Sequence, residues 1–307
     1  MPIAVTFRYE GEAETEEHAW QELVVRHLGV ADWESLEIGT AHDVLGDEAL
    51  RFIRAHGLAH PASLPGKVPL LARAKGGSVM SGEGGDEIFG TRRATVFRKL
   101  GGKPPRLLRA SFRREVARSL GPRATRAAAI HHHVHKVLTP ALGYLRPQFR
   151  EDLITNLVGH LSSEPFDNTK SLGWHLRRKQ IVKHQECLTA LAAEHDVAHL
   201  DPFLEPKFVA AYAKMVSPFG LPTRTAAMTA LFGDLLPHEV LSRESKAIFN
   251  RAMITDVSRE FARSWRGAGI DTDLVDAEAL RSAWLSDWPP VQSHWLLQSA
   301  WLSDPNQ

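Results

Sequence analysis

The sequence predicts an α/β fold: a partial parallel sheet with flanking helices over residues 1–95, then a mostly helical region over residues 96–307 of the same domain. Three observations carry this reading. Short apolar runs near the N-terminus alternate with stretches of helical periodicity. The third run, Gly77 to Met80, ends in a glycine-rich acidic loop, Ser81-Gly82-Glu83-Gly84-Gly85-Asp86-Glu87, with a helix expected straight after it. Past Arg92 no strand pattern is evident, and apolar residues recur at helical steps.

Residues 3–7 read as a short strand. Thr15 is placed to cap a helix running to His27, with Glu16 and Glu17 in a first turn that favours acids. Trp20, Leu23, Val24 and Leu28 recur at helical spacing, and Gly29 stops the run. Residues 33–38 form a second strand with Leu36 and Ile38 on one face. A helix over 47–56 follows, with Leu50 and Ile53 inward and Gly57 as its stop; residues 64–73 make a third helix and 77–80 a third strand. This β-α-β-α-α-β order implies parallel pairing of all three strands, with ligands at their carboxyl ends, where Glu83 and Asp86 would lie.

Further on, Gly101-Gly102-Lys103-Pro104-Pro105 breaks the chain. A long amphipathic helix is expected over 172–195, with Trp174, Ile181, Leu188 and Leu191 on its inner face, and shorter ones near 206–215, 225–235 and 251–266. Trp284, Trp288, Trp295 and Trp301 read as packing anchors.

Composition limits the options. A content of 43% hydrophobic and 24% charged residues is that of a globular chain. No apolar run approaches the roughly 20 residues that span a bilayer, and Met1-Pro2-Ile3-Ala4-Val5-Thr6-Phe7 lacks the basic flank and length of a secretory signal. Cys187 is the single cysteine, so no intramolecular disulfide forms and a cytoplasmic location is expected; it reads as a half-buried helical residue. Net charge is +1, yet residues 91–150 hold fifteen Lys or Arg against one acid, Glu115. That bias fits an acidic partner or a solvated arginine-rich face, and without interleaved aromatics it argues against nucleic acid.

The chemistry concentrates in the acidic loop. Glycines at 82, 84 and 85 let backbone amides approach a ligand where a Cβ would obstruct. Carboxylates in the same loop disfavour a bare anion, so a metal ion or an amine is expected alongside. His131 and His135 stand one helical turn apart, without a carboxylate at helpful spacing in the sequence. No G-x-x-x-x-G-K-[ST] phosphate loop occurs.

The stretch Ser81-Gly82-Glu83-Gly84-Gly85-Asp86-Glu87-Ile88-Phe89-Gly90 resembles the S-G-E-G-x-D-E-x-F-G signature of the asparagine synthetase family, in its ATP-dependent synthetase domain. Residues 3–29 resemble the family's second strand and helix. Pro202-Phe203-Leu204-Glu205 resembles its P-F-L-D turn, with Glu for Asp. Leu235-Leu236-Pro237, then Arg243 to Phe249, resembles its L-P-x-x-I-x-x-R-x-x-K-x-x-F segment.

The resemblance implies an adenine nucleotide alpha-hydrolase-like sheet, with ATP and Mg²⁺ as cofactors. The reaction implied is that a small-molecule or peptide carboxylate attacks the α-phosphate, and ammonia or an amine then displaces AMP from the acyl-adenylate, as in asparagine biosynthesis. On it, Val5, Ser81, Gly82, Gly84 and Asp86 would contact the nucleotide and Asp86 would hold the metal. Glu83 would orient or deprotonate the amine, Lys246 would stabilise developing negative charge, and Glu205 would lie near the substrate. A peptide macrolactam cyclase of the same family, and a non-catalytic binding subunit, are the alternatives.

Two family features are absent from residues 1–307: the pyrophosphate loop S-G-G-x-D-S with its first strand, and the N-terminal cysteine of the amidotransferase half. The expectation is therefore a separate chain supplying the loop, a truncated frame, or a relic with weak turnover. It also implies an open edge on the strand of residues 3–7, and self-association or need of a partner.

Overall fold

The computed structural model describes residues 2–9, 15, 17–100, 109–216 and 218–304. Two strands near the N-terminus, β1 (Ala4–Arg8) and β2 (Trp33–Glu37), pair in parallel with Ala4 opposite Trp33 and Arg8 opposite Glu37. The third strand, β3 (Ser78–Met80), does not join them. It pairs in parallel with β4 (Ala198–Leu200), so the chain carries two two-stranded sheets where one three-stranded sheet was expected. The helical second part thus contains a strand after all. Backbone bonds from Gly76 N to Asp196 O and from Ser81 N to Leu200 O extend the β3–β4 ladder at both ends. Three residues are too few to display strand alternation, which is why β4 escapes a periodicity reading.

The carboxyl ends of β1 and β3 are nevertheless tied together. His42, just past β2, sets its ring edge-on to Phe7 and Tyr9 at 6.4 and 5.4 Å. The 3₁₀ turn Leu64–Lys67 presses on His42 so closely that a Cβ on Gly66 would come within 2.6 Å of Nδ1. Lys67, at the end of that turn, pairs with Glu83 in the loop after β3. A second tie comes from the far end of the sequence: Phe249 packs its ring 5.2 Å from Tyr9.

Most helices follow the apolar spacing. Asp47–His56 forms over the expected residues and ends at Gly57, whose φ of 77° suits glycine. The segment 64–73 divides into the 3₁₀ turn and the helix Val68–Arg73, each with a proline in its first two positions. The helix expected over 172–195 is two helices, Asn168–Leu176 and Lys179–Glu194, with extended backbone at Arg178 between them. Its apolar spacing runs on through the break because Leu172 serves one core, whereas Leu188 and Leu191 serve another.

The helix near 251–266 begins late, at Asp256. Its start is fixed by the buried Asp43, which accepts from Thr255 N and Oγ1 at 2.6 and 2.7 Å and from Ser258 Oγ at 2.5 Å. The helix after β1 is His18–His27, three residues beyond Thr15, with no side-chain cap. The Gly-Pro break at 101–105 lies outside the described residues.

The main core joins Phe52, Leu64, Leu71, Leu188 and Leu191 to Trp265, Trp284, Leu297 and Trp301. Trp295 packs against it, but Trp288 is 48% exposed beneath the Arg251 guanidinium and does not anchor the core. Cys187 is buried in this core rather than half-buried. Gln298, fully buried on the last helix His294–Leu302, donates to Val44 O and Ala62 O at 3.0 Å each and accepts from Ala59 N. A second core beneath the acidic loop gathers Ile88, Phe89, Leu172, Tyr212 and Val216. A third holds the helix pair Arg123–Ala141 and Pro147–Ser162 together through Ile130, Val134, Ile154 and Val158.

Part of the basic segment proves structural, a role outside both readings of its charge. Arg93 donates to Ser119 O at 2.5 Å and Arg126 to Ser162 O at 2.5 Å, each satisfying a carbonyl at the end of a helix. Arg109, Arg113 and Arg123 remain exposed. Among the described residues, no helix is long and apolar enough to cross a membrane.

Candidate active site

The acidic loop leaves β3 at Met80 and turns into the short helix Gly85–Phe89. Below it, Phe89 meets the rings of Phe203, Tyr212 and Phe232 edge-on at 5.1, 5.6 and 6.0 Å. Arg92, almost fully buried, donates to the carbonyls of Glu87, Ile88 and Gly90, closing that helix from its far end. The three glycines have different reasons to be there. Gly84 sits at φ 84°, and an added Cβ would fall 2.3 Å from Leu204 Cδ2; one at Gly82 would meet nothing within 4 Å. A Cβ on Gly85 would make ordinary contact with Phe203 at 3.5 Å, so Gly82 alone of the three faces open space, as close ligand approach requires.

Polar contacts hold the loop in place. Ser81 Oγ donates to Asp201 Oδ1 at 2.6 Å and accepts from Glu83 N at 3.2 Å. His199 Nδ1 stands 3.3 Å from the other Asp201 oxygen. Burial alone would raise the Asp201 carboxyl, but hydrogen bonds from His199, Ser81 and Gln185 win and hold it below the usual carboxylate range. Glu83 pairs with Lys67, and Nε2 of His184 lies 3.7 Å from its Oε1. Lys246 reaches Asp86 Oδ2 at 3.2 Å, and both side chains are largely exposed. The same segment anchors beside β1, where Arg243 bonds Glu17 at 2.8 Å and lies over the ring of Trp20.

A cavity of about 370 Å³ opens along the loop, lined by residues 82–87 and by Ile181, His184, Gln185, Phe203, Leu204 and Arg224. An apolar trough of about 750 Å³ continues from it, sharing Ile181, Gln185 and Leu204, along the helix Lys179–Glu194 towards Ala190 and Ala193.

Of the residues singled out in the sequence, Ser81, Gly82, Glu83, Gly84, Asp86 and Lys246 come together here. Glu205 does not: it is exposed at the start of the helix Pro206–Val216, and the carboxylate of its turn that reaches the loop is Asp201. Val5 lies in mid-β1 opposite Glu34. Sequence reasoning missed Lys67, His184, Asp201 and Arg224. Ile181, His184, Gln185 and Leu188 do lie at helical i, i+3, i+4, i+7 spacing, which would have placed His184 on an inner face. His131 and His135 stack with centroids 5.8 Å apart, and Glu151 approaches His135 at 3.4 Å, yet no group of three or more metal-ligating residues forms among the described residues.

An α/β frame with small parallel sheets and a glycine-rich acidic loop at a strand's carboxyl end marks a ligand-binding site of the kind such frames build. Residues 3–303 match the family model described as Asparagine synthase, and the chain belongs to that family. The family consists generally of ATP-dependent ligases that form amides. No curated protein and no solved structure matches the chain.

Proposed function

We propose that this chain is the synthetase part of an asparagine synthetase-like amide ligase, in which ATP activates a carboxylate as its acyl-adenylate and ammonia or an amine then forms the amide. The observation that carries the proposal is the meeting of Lys246 with Asp86, 160 residues away in sequence, beside a cavity lined by Glu83. Ser81 and Gly82 lie against the nucleotide. Lys246 gives up Asp86 for phosphate oxygens and stabilises the charge that develops on them.

Asp86 offers one accessible carboxylate, which suits Mg²⁺, an ion that takes one or two protein carboxylates and completes its shell from phosphates and water. A Mg²⁺ ion held by Asp86 would supply charge neutralisation for a leaving pyrophosphate. Glu83 orients the amine and takes its proton. Since residues 1–307 hold no S-G-G-x-D-S string, the loop that grips the β- and γ-phosphates comes from outside them, as a strand completing one adenine nucleotide alpha-hydrolase-like sheet with β1 and β3. Each of these pairs with one strand only among the described residues. The single cysteine supports a cytoplasmic enzyme.

The apolar trough favours a second reading, a macrolactam cyclase of the same family whose acyl substrate is a peptide laid along the helix Lys179–Glu194. The test is ATP–pyrophosphate exchange with Mg²⁺ and either aspartate or a linear peptide, first with this chain alone and then with the S-G-G-x-D-S segment supplied. Exchange is expected only with the segment. It should vanish in Asp86→Asn and fall roughly 100-fold in Lys246→Ala, about 3 kcal/mol. Normal exchange with both residues replaced refutes the assignment.

A further inference from the structure

The side chains around Glu83 form a cluster that the acidic-loop signature does not contain. Lys67 comes from the turn after the second helix, His184 from the helix Lys179–Glu194, and both converge on Oε1 of Glu83. Nε2 of His184 is buried and has no hydrogen-bond partner, though it stands only 3.7 Å from that oxygen. A buried polar atom left unpaired costs about 1–3 kcal/mol, so its retention calls for a reason. His184 also lines the cavity, together with Glu83.

We propose that His184 is the proton reservoir of the amide-forming step: Glu83 takes the proton of the attacking amine and passes it to His184 Nε2, so that Glu83 returns to its carboxylate form. The inference rests on the amide-ligase reading above. Its proton count closes. The amine N–H bond breaks as an O–H bond forms on Glu83, that O–H breaks as N–H forms on the imidazole, and the imidazolium later yields the proton to water. No electrons change hands.

A proton resting on Glu83 would forfeit the Lys67 ion pair, whereas one resting on His184 preserves it and adds a second cation beside the same carboxylate. A shift of Nε2 by about 0.5–1 Å brings it within hydrogen-bond range of Oε1. His184 acts through Glu83, so it is a positioning and proton-accepting residue rather than one that touches substrate.

The charges facing the ring agree with this role. Burial holds His184 below the ordinary histidine value; Glu83 opposes that shift, Lys67 and His60 add to it, and Asp201 opposes it weakly. The imidazole is therefore neutral at pH 7, as an acceptor must be, and loses that capacity as pH falls through its value.

The first measurement needs no turnover: an NMR titration of His184 in the chain itself. The expected result is a midpoint below the ordinary value that moves down in Glu83→Gln and up in Lys67→Met. The second uses the complemented enzyme, comparing amide formation with pyrophosphate exchange across pH. His184→Gln should lower amide formation at least tenfold more than it lowers exchange, and should remove the acid limb of the amide step. A midpoint that moves with neither substitution, or equal loss of both activities, overturns the proposal. A wild-type enzyme that never exchanges pyrophosphate overturns the amide-ligase reading instead, and the titration still decides whether Glu83 and His184 act as a pair.

Discussion

Gly84→Ala is expected to destabilise the protein by about 2–5 kcal/mol, and the sum has two separable parts. At φ 84° an L-residue pays about 1–2 kcal/mol for left-handed backbone. The new Cβ would also lie 2.3 Å from Leu204 Cδ2 and 2.6 Å from Cγ, an overpacking worth about 1–3 kcal/mol. Leu204→Ala removes both clashing atoms and should cancel the second part while leaving the first. Urea midpoints of the two single variants and the double variant form a cycle whose coupling should be about 1–3 kcal/mol favourable. Gly82→Ala is the control: its Cβ meets no atom within 4 Å, so stability should hold within about 0.5 kcal/mol while nucleotide exchange weakens. Wild-type stability in Gly84→Ala, or strict additivity with Leu204→Ala, would refute the argument that packing dictates this glycine.

Phe89→Ala should cost about 3–5 kcal/mol, because it empties a buried ring site bounded by three aromatic neighbours; thermal melts read it, and exchange should fall as the loop loses its footing. His294 is buried, and burial pushes it down to about 4. The unfolded chain binds that proton below about pH 6.5 and the folded one only near 4, so stability present above 6.5 drains away as pH falls. At pH 5 the loss from this one residue is about 2 kcal/mol relative to pH 8. Urea melts of wild type and His294→Gln at the two pH values should show the variant losing correspondingly less.

The acidic loop was legible because its chemistry is local: residues 81–90 carry turn glycines, carboxylates and the anchoring Phe89 in one string. Asp47–His56 was legible for a similar reason, having clear amphipathic spacing and a terminal glycine. The partners of that loop were not. Nothing local marks Lys67 as paired, and although the spacing of Ile181, His184 and Leu188 puts His184 on an inner face, it does not name Glu83 as the partner. The sheet was misjudged because strand pairing is decided by distant partners: three residues at 198–200 capture β3, and no ladder joins it to β1. The helix at 251–266 lost its first turn to Asp43, more than 200 residues earlier, which no window of sequence could reveal.

Gln298 gives the chain an order of assembly. Its amide satisfies three backbone groups between Val44 and Ala62, and its neighbour Trp295 donates to Ala59 O at 2.8 Å, 236 residues back. On a ribosome adding roughly 5–20 residues per second, the early segment waits roughly 10–50 s for those partners. Throughout that interval the carbonyls of Val44, Ala59 and Ala62 have only water to bond, and the Phe52 core lacks its lid of tryptophans. A chain that stops short of Gln298 lacks the amide that pairs these three backbone groups, and the Phe52 core stays open on that side.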